Sequence, residues 1–85
     1  MDYDKLIEEA KNYAEKNYFS KPSLGQDEEL QLISCGYSVL FLSARANKST
    51  EELGLAHEFI ARCFKKTGDL NYAEKHLKSA AGYKS

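Results

Sequence analysis

The stretch KKTGDLNYAEKHL, residues 65–77, decides how the chain folds. Gly68 is the residue type that ends a helix in the left-handed conformation. Lys65 and Lys66 stand in the turn before it, where cations meet the negative end of a helix dipole. Asp69 then offers a side-chain oxygen to the first free amides of a new helix. The stretch therefore predicts two helices folded back on each other at Gly68-Asp69. Upstream, Ser49-Thr-Glu-Glu52 has capping-box spacing, so the earlier helix starts there and carries Leu53, Ala56, Ile60, Cys63 and Phe64 at helical intervals. Downstream, Leu70, Ala73, Leu77 and Ala80 are expected to face inward, with Gly82 near the end of the helix.

The N-terminal half predicts a second pair. Asp2 caps a first helix that runs to about Tyr18, with Leu6, Ala10, Tyr13 and Asn17 tracing one face beside Tyr3. Pro22 and Gly25 break the segment Phe19–Gln26 into a loop. Asp27, followed by Glu28 and Glu29, opens a helix from Glu28 to about Ala46. Ile33, Tyr37, Leu40 and Ala44 form one apolar stripe on it, and Leu32, Cys35, Val39, Leu42 and Ala46 form another. A helix apolar on two sides needs two partners, so it is either the centre of the bundle or part of a subunit interface. Ile33, Tyr37, Leu40 and Phe41 are the residues expected at such an interface. The expected fold is all-α: four antiparallel helices in a single domain over residues 1–85, with one hairpin over 1–46 and the other over 49–83.

Composition sets the function classes. The chain has 85 residues, 42% of them apolar and 29% charged, with one Pro and five Gly, which favours a folded helical domain over disorder. A net charge of −1 gives no field for nucleic acid or an anionic membrane. The charge is unevenly spread: residues 1–44 hold four basic and eight acidic side chains, residues 45–85 eight and five, a balance of −4 against +3. That asymmetry fits either head-to-tail association or an acidic hairpin packed beside a basic one. Asp2, Asp4, Glu8 and Glu9 occupy the region where a secretory leader would need basic and apolar residues, which predicts a cytoplasmic, reducing setting with Cys35 and Cys63 as small apolar residues. The longest apolar run, Val39–Leu42, is far short of a membrane span.

The last two helices resemble the tetratricopeptide repeat over residues 54–85. The Gly68-Asp69 turn fixes the register, placing Ile60, Ala61 and Phe64 on the repeat's Leu, small and Tyr sites, and Ala73, Leu77 and Ala80 on those after the turn. His57 stands where the repeat usually has Trp, and Ser85 where it has Pro. Small residues at Ala61, Ala73 and Ala80 would let the two helices approach closely, while Phe64, Leu70 and Leu77 fill the gaps. The resemblance implies a protein-binding surface on the first helix of the unit, here Leu55, Glu58, Phe59, Arg62, Lys65 and Lys66. Leu55 and Phe59 would anchor a partner and Arg62 would pair with a peptide carboxylate. Glu58 and Arg62 replace the Lys and Asn of the family's carboxylate clamp, which argues against that mode of binding. One repeat cannot close a core, so the first two helices or a second subunit must cap it.

No nucleophile elbow, Gly-rich phosphate loop or zinc-spaced His/Cys cluster occurs, so no catalysis, cofactor or metal is expected. The expected function is a protein–protein interaction module, an adaptor, chaperone-like protein or inhibitor, that binds another protein or peptide and forms a homodimer. Lys65, Lys66, Lys75, Lys78 and Lys84 carry no recognisable nucleic-acid motif. The alternative from another class is histidine phosphotransfer, a resemblance resting on His57 with the small Ala61 four residues on. Ile60 departs from that pattern.

Overall fold

The computed structural model describes residues 2–84, the side chain of Lys84 excepted; Ser85 lies outside them. Four helices follow in order: α1 Tyr3–Ala14, α2 Gln26–Arg45, α3 Thr50–Lys66 and α4 Leu70–Lys84. A π turn, Glu15–Phe19, extends α1. The fold is all-α, as the sequence predicts. Its Cα extents, 34 × 30 × 16 Å, describe a slab. Two helix layers with axes 8–10 Å apart and Cα radii of 2.3 Å span about 13–15 Å, so the thin dimension holds two layers.

The helix ends are built as the local sequence dictates, with one substitution. Asp2 accepts from the Lys5 amide at 3.0 Å, and Ser49 Oγ from the Glu52 amide at 3.2 Å. The acidic start of α2 lies earlier than its carboxylates suggested: Gly25 is the cap, and Glu28 reaches back to accept the Gly25 amide at 3.1 Å. At the end of α3, Gly68 has φ +83°; its amide bonds the Lys65 carbonyl while that of Asp69 bonds Phe64. α2 closes with the same pair of bonds, from Asn47 to Ala44 and from Lys48 to Ser43, with Asn47 at φ +56°. Asn is the residue after Gly that best tolerates this conformation, so the turn forms without the Gly-Asp signature.

α3 is the hub, packed most extensively on α4 and then on α2. Ala61, Ala73 and Ala80 are buried, as the close approach of α3 and α4 requires. Gly54 lies against Ala80 and Tyr83, His57 against His76, and Phe64 against Tyr72, so the two helices run in opposite directions. On the α2 side, a Cβ added to Gly36 would lie 2.8 Å from Ile60 Cγ1 and 3.3 Å from Ile60 Cα, so only glycine admits α3 this closely. Leu32, Val39, Ile60 and Cys63 fill this seam.

Two expected faces are corrected. On α1 the buried residues are Ile7 and Ala14, with Tyr18 in the π turn, while Leu6 and Tyr13 are exposed. The buried face is turned by one residue from the expected one: the small Ala14 is wholly covered where Tyr13 stays outside, and Tyr18, buried in the π turn, donates to Gln31 Oε1 of α2 at 2.8 Å. On α4, Leu70 is 65% exposed and Leu77 38%, because the alanine line occupies the contact with α3 and no further helix covers the outer edge among the described residues. Aromatic and imidazole rings, not these leucines, fill the space between α3 and α4.

Candidate functional site

α2 carries the most distinctive surface. Residues 30–44 contain no charged side chain, although they make four turns of a helix that is only partly covered. The covered line is Leu32, Gly36, Val39 and Ser43, four positions at helical intervals. Another line on the same helix stays open: Leu30 is 63%, Tyr37 46% and Phe41 63% exposed, with Ile33 and Leu40 half-buried beside them. The four residues expected at an interface, Ile33, Tyr37, Leu40 and Phe41, therefore share one face, and Leu30 extends it. Its N-terminal end opens into a cleft of about 340 Å³ lined by Leu30, Ile33 and Phe64 together with Gln26, Glu29, Thr67 and Asp69, so the uncharged face stops there at two carboxylates. Such a run is unusual at a solvent face, where charged residues normally interrupt apolar ones.

The six residues expected to bind a partner on α3 are not gathered into one open surface. Phe59 is 9% exposed and meets Phe19 edge to face, ring centres 6.1 Å apart, so it is a core residue and not an exposed anchor. Arg62 is occupied: it pairs with the Glu15 carboxylate, its Nη2 donating to Oε2 at 3.1 Å, and its guanidinium lies 3.9 Å from the centre of the Phe19 ring. That bond holds the Glu15 carboxyl below the usual carboxylate range. Lys66 donates to the Lys21 carbonyl, Lys65 is exposed and Glu58 is half-buried. Leu55 remains exposed, on the rim of a separate cleft between α1 and α3 where Lys48 pairs with Asp4 and Glu52. The π turn brings Glu15 and Phe19 over α3, and the α3 pattern alone could not disclose that.

The α3–α4 seam holds a feature the sequence reading missed. His57 and His76, the two histidines of the chain, meet with Nδ1 atoms 2.9 Å apart. They belong to a run of rings: Tyr72 stacks on Phe64 and Phe64 on His76, His76 meets His57 edge to edge through the two Nδ1 atoms, and His57 stacks on Tyr83. Tyr37 of α2 abuts His76 edge on. Burial lowers both imidazole pKa values, and the charge of His57 lowers that of His76 further. The available signal was their placement on either side of the Gly68 turn, which brings them to one level of a hairpin.

The cysteines are free thiols. Cys63 is buried against the Gly36 backbone, and burial pushes its pKa up to about 12; burial also raises that of Cys35. Neither is poised as a nucleophile. Among the described residues, no three His, Cys, Asp or Glu side chains converge on one metal position, and no helix is long and apolar enough to cross a membrane. Comparison with protein-family models, with curated proteins and with solved structures finds no match to this chain.

Proposed function

We propose that the chain is a non-catalytic protein-interaction module that self-associates through the outer face of α2. The observation that carries this reading is the uncharged run 30–44 with Leu30, Tyr37 and Phe41 exposed along one line of the helix. A twofold interface places the same patch on itself, which like charges would oppose and an uncharged patch permits. Depletion of charge with aromatic enrichment is also the composition of interface cores. The α3–α4 hairpin, which we read as tetratricopeptide-like from its sequence pattern, would then serve as the support behind that face. Histidine phosphotransfer is the weaker reading, because His57 Nδ1 is engaged by His76 and its ring lies against Tyr83.

A spin label at Ser38, an exposed position on α2, tests the surface. Mixed with isotope-labelled unmodified chain, it is expected to broaden the amide resonances of Leu30 to Phe41 in the other copy. Broadening centred on Leu55 or Lys65 instead would move the contact to α3, and no intermolecular broadening would remove the proposal.

A further inference from the structure

We propose that His57 and His76 form a two-imidazole site for a divalent transition metal of the zinc, copper or nickel type, clamping α3 to α4. An Nδ1···Nδ1 contact of 2.9 Å is an N–H···N hydrogen bond, so one of the two nitrogens presents its lone pair and the other supplies the proton. Transfer of that proton from Nδ1 to Nε2 of the same ring leaves two lone pairs across a short gap. Imidazole nitrogens are the side-chain donors that these metals prefer.

The spacing suits a metal. With metal–nitrogen bonds of 2.0–2.1 Å, two ligands at tetrahedral or right angles lie about 2.8–3.4 Å apart. The existing separation reaches the lower end of that interval, and because the ring centres are 5.1 Å apart with both Nδ1 atoms close to the line joining them, each ring must turn by about 35–45° for the two lone pairs to meet on one metal. The neighbours confine both rings to this seam: His57 lies beside Tyr83, and His76 beside Phe64 with Tyr37 at its edge. The site is also reachable. Both histidines are half-buried, and His57 lines a surface hollow with Ser79, Gly82 and Tyr83. Water would complete the coordination, as no third His, Cys, Asp or Glu converges there among the described residues. A metal here bridges two helices, so it stabilises the folded hairpin over the unfolded chain.

The test is zinc binding to the full chain, followed by calorimetry, by thermal unfolding and by the ¹⁵N resonances of the imidazoles. The expected result is one zinc per chain, a rise in Tm, and a shift of the Nδ1 resonance of both histidines. His57→Gln and His76→Gln should each weaken binding by at least about tenfold, the lower end of what loss of even an outer-shell partner costs a metal site. Cys35→Ser should leave it unchanged. The wild-type Nδ1 shifts do not depend on whether the variants fold. Zinc that perturbs only one histidine, only Nε2, or that is lost in Cys35→Ser would overturn the proposal, as would an absence of saturable binding.

Discussion

At the scale of single residues, Gly36 and the histidine pair carry the sharpest consequences. In an exposed helix, Gly→Ala gains up to about 1 kcal/mol. At Gly36 the added methyl would meet Ile60, which is wholly buried, and overpacking of this kind costs about 1–3 kcal/mol. Gly36→Ala is therefore expected to lower stability, by about 1–2 kcal/mol net in urea unfolding. The histidines set a pH dependence in metal-free protein. Both fold with pKa values below the ordinary 6.5, so the unfolded chain binds more protons as pH falls. Stability should hold level well above pH 6.5, fall as pH drops through 6.5 and level off below the folded pKa values. His76→Gln in the presence of chelator should flatten that slope. The alanines at Ala61, Ala73 and Ala80 were legible in the sequence because they lie on either side of the Gly68 turn at helical spacing, where close approach of two helices needs small residues; Ala44, at similar spacing on α2, is exposed. The histidines were not, because their partnership crosses a turn and depends on the rotation of both helices.

At the scale of helices, the two left-handed ends make a matched pair. Gly68 adopts φ +83° at no steric cost, whereas Asn47 at φ +56° carries a side chain in a conformation that disfavours one. Asn47→Gly is expected to raise stability by a few tenths of a kcal/mol to about 1 kcal/mol, and Gly68→Ala to lower it by about 1–2 kcal/mol. Thermal unfolding of the two variants checks the opposite signs. The end of α3 could be read from Gly68 directly; that of α2 could not, since Asn serves many kinds of turn. Periodicity fixed the existence of α1 and α4 but not their rotation. On α1 the lines through Leu6 and Ile7 are both helical faces, and the choice falls to Ala14 and Tyr18 against α2. On α4 the leucines follow the same spacing as the alanines, and only the closeness of α3 decides that the alanines win. The π turn left no mark in the sequence, yet it covers Phe59 and engages Arg62, which removes both from the surface where the repeat-like pattern had placed them.

At the scale of the whole molecule, a two-layer slab of 85 residues leaves helix faces uncovered, and the uncharged side of α2 is the one whose composition fits a second copy. The same slab explains why Leu70 and Leu77 remain exposed on α4, at the edge where a repeat protein would continue. The two sets of exposed side chains make separable predictions. If the α2 face is the contact, Leu77→Lys leaves association unchanged, whereas a charge at Tyr37 or Phe41 abolishes it. Sedimentation velocity across a micromolar concentration series, comparing the wild type with Tyr37→Glu/Phe41→Glu, is the most direct test. The account predicts that the wild type sediments at twice the 9.6 kDa chain mass and that the variant, with its helical circular dichroism intact, sediments as a monomer. A wild type that remains monomeric throughout, or a variant that stays dimeric, would contradict it.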